Sequence, residues 1–285
     1  MPSTSRPRTS AVLAIALIAP VSECGGAPQV RDLGASSAEL GGKAIHRLMH
    51  ARAVLPLAAR PLAAEPVATQ PGPSSCPAGM ALVVGEFCPD VEQRCVRYVD
   101  PPEGRYAGYR CAEFAKPAIC RGARKPLRFC IDVDEQGATR ADPRPASRVS
   151  YDAAKQACAV RGARLCSESE YQFACEGEEM RPYPYGWSRD ATACNIDRLE
   201  LGDVGRLRDL RDEVGAHPRC ESPFGVRDLT GNLEEWASSD HPGMHSHETL
   251  LMGSWWLPGR ATCRQVNAGH DGAYWGMETG YRCCQ

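Results

Sequence analysis

Arg6 and Arg8 precede an apolar run from Ala11 to Val21. A bilayer-spanning helix takes about 20 apolar residues, so this shorter run behind a basic head predicts a signal peptide over residues 1–24 rather than an anchor. From Gly25 to Ser75 the pattern dissolves into Ala, Pro, Gly and Ser without one aromatic residue, a composition that cannot bury enough apolar surface to fold alone and predicts a tether. Within it Ala38 to Arg60 can be helical, broken at Pro56, with His46 and His50 on one face; lacking a third ligand nearby, the pair reads as a solvated helix face. Residues 76–130 carry short β-like runs, Ala81 to Val84 and Cys95 to Val99, cut by turn-forming Pro and Gly. Two helices follow. Ser150 caps Tyr151 to Arg161, with Asp152 in its first turn and Gly162 at its stop. Ser167 and Glu170 make a capping box for a second helix running through Cys175, which buries Tyr171, Ala174 and Cys175. Beyond Gly177 the chain becomes rich in Gly, Pro and Trp, and all five tryptophans (187, 236, 255, 256, 275) lie there. The whole predicts an irregular α+β domain over residues 76–285 with little regular secondary structure, held by aromatic packing and cross-links.

Composition changes this picture in one respect. The chain has 285 residues, 43% hydrophobic and 24% charged, with a net charge of −2. That suffices for one substantial core and gives a nucleic acid nothing to bind, since no basic block is present. The telling count is 15 cysteines, of which all but Cys24 fall between Cys76 and Cys284. Few stand at zinc-ligand spacing, so disulfides are expected, and with them an oxidising compartment. Six of these cysteines fall in the Cys-rich part, residues 76–130, where fifteen pairings are open. Cys24 follows Val21, Ser22 and Glu23, which resembles a bacterial lipoprotein processing site, although Glu23 replaces the usual small residue. The expectation is lipid on Cys24, a membrane link through that lipid alone, and a periplasmic or outer-membrane location.

Four stretches carry a stronger resemblance. The first runs from Ser150-Tyr151-Asp152-Ala153-Ala154 to Arg164-Leu165-Cys166-Ser167-Glu168-Ser169-Glu170-Tyr171, and the second is Tyr183-Pro184-Tyr185-Gly186 followed by Asn195-Ile196. The third is Phe224-Gly225-Val226-Arg227-Asp228-Leu229-Thr230-Gly231-Asn232-Leu233-Glu234-Glu235-Trp236. The fourth is Gly253-Ser254-Trp255, then Cys263-Arg264, closing on Gly280-Tyr281-Arg282-Cys283. In this order they resemble the sulfatase-modifying-factor, or formylglycine-generating-enzyme-like, family over Met80 to Cys284, and imply its variant of the C-type-lectin-like fold.

The resemblance implies calcium. Asp228 and Glu235 offer carboxylates, and the carbonyls of Gly231 and Leu233 stand where the family coordinates the ion, a hard cation that wants several oxygens. A second calcium begins in the family at an Asn-Ile pair, here Asn195 and Ile196, with Asp203, Asp209 and Asp212 as further ligands to consider. It also implies disulfides from Cys158 to Cys283 and from Cys175 to Cys263; Cys194 with Cys220 is a weaker expectation, and Cys166 and Cys284 are left without partners. The family's copper oxidases need a Cys-x4-Cys pair shortly after the Gly-Ser-aromatic step, because soft Cu(I) selects paired thiolates. This chain instead reads Trp255-Trp256-Leu257-Pro258-Gly259-Arg260-Ala261-Thr262, and copper chemistry is not expected. Around the expected groove Trp255, Trp256, Arg260, Arg264, His270, Asp271 and Trp275 suit a protein, peptide or glycan ligand as well as they suit a packed aromatic core. Two functions stay open: a monomeric, non-catalytic binding or scaffolding module on the cell envelope, and a periplasmic modifying enzyme working without copper.

Overall fold

The computed structural model describes residues 75–200, 207–241 and 243–285. The expected signal peptide, Cys24, the tether up to residue 74 and Asp203 lie outside the described residues.

The first β-like run extends further than its four apolar residues suggest. Strand β1 (Met80–Phe87) pairs residue for residue with the later strand at Lys125–Asp132, with Val83 and Phe87 facing the core. Between these partners lie the short strands β2 (Val91–Glu92), β3 (Cys95–Tyr98), β4 (Cys111–Phe114) and β5 (Ile119–Cys120), paired as β2 with β5 and β3 with β4. The Lys125–Asp132 strand is β6, and its last four residues are all buried.

Helix α1 (Tyr151–Val160) starts where the Ser150 hydroxyl accepts from the Ala153 amide, and buries Ala154 and Cys158, one turn apart. Strand β7 (Arg164–Leu165) leads into α2 (Glu168–Glu176), which has the full capping box of Ser167 and Glu170. All nine residues of α2 are buried, because the helix touches β1 and β6 on one side and the later strands β8 (Glu234–Ser238) and β9 (Thr249–Met252) on the other. Strands β10 (Val266–Asn267), β11 (Thr279–Tyr281) and β12 (Cys283–Cys284) complete two four-stranded sheets, ordered β1-β6-β12-β7 and β10-β9-β8-β11. Only the β8–β11 pairing in these sheets is parallel.

The main core gathers Val83, Phe87, Phe129, Ile131, Tyr171, Phe173, Val226, Leu229, Leu250 and Met252 around α2. A second cluster packs Ala154 and Leu165 on Trp236 and Leu251. Seven disulfides bind all fourteen cysteines among the described residues. Cys158–Cys283 and Cys175–Cys263 are the two pairs that the resemblance implies, and Cys194 bonds Cys220. Cys166 takes Cys284, so adjacent cysteines of β12 fasten α1 and the β7–α2 turn. In the Cys-rich part the pairs are Cys76–Cys130, Cys88–Cys120 and Cys95–Cys111.

Candidate functional site

The turn before β8 is built on unusual backbone. Asp228, Gly231 and Asn232 all have positive φ, at 55°, 88° and 56°. At Gly231 a Cβ would stand 2.5 Å from the carbonyl oxygen of Asn195, so only glycine fits. The turn is therefore pressed onto Asn195 and Ile196, and the Asn232 amide donates to the Asn195 carbonyl.

Four charged side chains converge under this turn, each at most 3% exposed: Glu135, Asp228, Glu235 and Arg282. Glu235 is committed to Arg282 through both oxygens, at 2.5 and 2.6 Å, and Arg282 also donates to the carbonyls of Asp132 and Arg227. Glu135 accepts from the Asn232 side chain and the Leu233 amide. Asp228 is different: its buried Oδ1 has no hydrogen-bond partner. Three carboxylates face one guanidinium, and buried charge of one sign is costly unless neutralised. Accordingly burial pushes the Asp228 carboxyl up to about 6, and burial with the nearby Asp228 and Glu235 pushes Glu135 well above the usual carboxylate range. A divalent cation would remove this imbalance and give Asp228 Oδ1 its missing partner. The residues present thus fit calcium, with a carboxylate, Glu135, that sequence reasoning missed because it lies outside every motif, in the loop after β6.

The Asn195 side of the turn already holds a cation of another kind. Arg198 reaches Asn195 Oδ1 at 3.3 Å and Asp212 Oδ2 at 3.6 Å, while Asp212 also meets His217 at 2.8 Å. Asp209 pairs with Arg211 and Arg144. The side-chain oxygens of Asn195, Asp209 and Asp212 are therefore engaged by arginine.

The seven groove residues do not form one constellation. Trp256 is buried in the core, with Trp255 tilted against it at 4.9 Å. Arg264 is locked to the buried Glu176 at 2.5 and 2.8 Å and to the carbonyls of Cys88 and Pro89, over the Phe87 ring. His270 stacks on Tyr274 at 3.7 Å, Asp271 caps its own turn through the Ala273 amide, and Trp275 is 58% exposed. What the structure brings together instead is a cleft of about 310 Å³ between Arg260, Thr262 and Arg264 on one wall and Tyr98, Tyr109 and Phe114 on the other, over the Cys95–Cys111 bridge. Arg260 lies over the Tyr109 ring at 4.9 Å. The aromatic wall comes from β3, β4 and their connection, and a stretch read only as a stapled region gave no hint of it.

An irregular α+β, disulfide-stapled fold with a strained carboxylate turn defines the class. Residues 109–285 match the model of the sulfatase-modifying factor enzyme 1-like domain, and the chain belongs to that family. It is 30% identical over 122 residues to the inactive C-alpha-formylglycine-generating enzyme 2 of Bos taurus, covering 40% of this chain and 38% of that protein. It is 29% identical over 99 residues to the hercynine oxygenase of Mycolicibacterium smegmatis, covering 33% and 22%. The chain thus spans well under half the length of these relatives. Among solved structures, CarF superposes with a TM-score of 0.49 at 13% identity, covering 73% of this chain and 98% of that one. PvdO from Pseudomonas aeruginosa gives 0.48 at 18% identity, covering 72% and 93%.

Proposed function

We propose that the chain is an exported, calcium-stabilised, non-catalytic binding module that takes a peptide or glycan ligand in the Arg260–Tyr109 cleft. The observation that carries this reading is the lining of the cleft. Gln93, Tyr98, Tyr109, Phe114, Arg260, Thr262 and Arg264 include no histidine or carboxylate, and its two cysteines are bonded to each other. Such a surface offers stacking faces and the Arg260 guanidinium, which recognise ligands, but none of the histidine, carboxylate or free thiol groups that most often carry proton transfer or nucleophilic attack. Calcium sits at the turn through Asp228, the carbonyls of Gly231 and Leu233 and the lone pairs left on Glu235, with Glu135 balancing its charge. When bound it supplies a fixed positive charge that locks the turn. The relatives include one whose name calls it inactive, in keeping with this reading.

The test is to present peptide and glycan arrays to the chain and to its Arg260→Ala/Tyr109→Ala variant, and to recover bound ligands for mass spectrometry. Ligands retained by the parent chain, lost by the variant and unchanged in mass support the reading. A ligand returned with altered mass establishes the modifying-enzyme alternative.

One observation favours that alternative. Burial pushes the carboxyl of Glu234 up to about 7, beside Asn267, which donates to it at 3.1 Å, and near Glu278, which the Tyr274 hydroxyl contacts. Such a perturbed acid suits proton transfer. On that alternative Glu234→Gln abolishes the mass change, and on the binding reading it leaves capture unaltered.

A further inference from the structure

Glu168, Asp240 and His241 place one ligand atom each within 4.8 Å of one another, and these residues belong neither to the carboxylate turn nor to the cleft. Glu168 is the first residue of α2 and its side chain is 4% exposed. Asp240 and His241 follow β8 and are half-open to solvent, at 36% and 21%. A second imidazole comes from the same connection: His245 Nε2 lies 2.9 Å from Glu168 Oε2.

Several contacts hold these donors in place. Glu168 Oε1 accepts from the Gln172 side chain at 3.2 Å. Asp240 Oδ2 accepts from the Ser167 hydroxyl at 3.0 Å, and Oδ1 accepts from the Ser169 amide at 3.3 Å. Asp240 Oδ1 also comes within 3.6 Å of His241 Nε2. Helix capping accounts for Asp240, and the pair with His245 accounts for one Glu168 oxygen. Neither accounts for His241 joining these two carboxylates at one partly open spot, with a second imidazole bonded to one of them.

We propose that Glu168, Asp240, His241 and His245 form a site for a divalent first-row transition metal of the zinc type. Two imidazole nitrogens with two carboxylates select such an ion over calcium, which prefers oxygen alone. Tetrahedral zinc at about 2.1 Å sets ligand atoms roughly 3.4 Å apart, so the cluster must tighten, and the half-exposed Asp240 and His241 are the side chains able to swing inward. The hydrogen bonds from Gln172, Ser167 and Ser169 are the outer contacts that orient metal-binding carboxylates. The ion would tie the β8–β9 connection to the start of α2.

The test is a calorimetric titration of the metal-free full chain with Zn²⁺ in calcium-saturated buffer at pH 7.5. One zinc per chain is expected. His241→Ala should weaken binding by at least about tenfold, and so should His245→Gln, which can still hydrogen-bond Glu168. Both variants should keep the parent near-ultraviolet circular dichroism, while His46→Ala/His50→Ala should leave the tight site intact. The proposal is overturned if the full chain binds no zinc, if neither His241→Ala nor His245→Gln weakens binding, or if the affinity disappears with His46 and His50.

Discussion

Arg282 and Glu235 form a buried ion pair whose partners differ in what their loss exposes. Glu235→Ala would leave Arg282 without its hydrogen-bonded carboxylate in a site 0% exposed, and breaking a buried pair from one side costs about 3–5 kcal/mol. Urea denaturation should show that loss, and it should persist under chelation, since it concerns the arginine as much as any ion. Asp228→Asn behaves differently. It removes a charge with no partner, so the metal-free chain should gain or hold stability, while calcium no longer raises its melting temperature. Titration gives a third residue-scale expectation. In the metal-free chain Asp228, at about 6, and Glu234, at about 7, are held protonated by burial, against about 4 in an unfolded chain. Their raised values favour the fold below about pH 4, and that contribution is lost as pH rises through 6 to 7. With chelator the melting temperature should therefore fall between pH 5 and pH 8. With saturating calcium the Asp228 part of that fall should vanish, because the ion binds the deprotonated form. Asp228, Gly231, Leu233 and Glu235 could be named together from the sequence because the motif runs in one stretch. Glu135 was not, for its side chain reaches the turn from ninety-odd residues upstream and only the fold joins them.

At the scale of elements, local signals read true where the structure is local. Ser150, Ser167 and Glu170 announced both helices to within a residue, because caps act over one turn. Ser167→Ala should cost about 1 kcal/mol from the lost cap, measurable as a lowered denaturation midpoint. The strands were less legible. Strand β1 reaches Phe87 rather than Val84, since pairing with β6 decides its length, and β12 is two residues long and exists because two disulfides hold it. Of the expected groove residues, Arg260 and Arg264 line the cleft, whereas packing buries Trp256, ties the Arg264 guanidinium to Glu176 and leaves Trp275 exposed.

For the whole molecule, cross-links stand in for regular secondary structure. Cys158–Cys283 and Cys175–Cys263 span 125 and 88 residues, closures worth about 4–5 kcal/mol each in the chain-entropy model. Alkylation of the denatured, unreduced chain should label none of the cysteines from Cys76 to Cys284. The domain is then a disulfide frame around one bent, charge-rich turn, which the proposed calcium would complete. Thermal melting of the full chain at pH 7.5, in calcium at about a hundred times its dissociation constant and then in chelator, tests it most directly. Mass action at that concentration adds about 2.7 kcal/mol, so calcium should raise the midpoint by roughly 5–10 °C. Identical melting in calcium and in chelator would contradict the account.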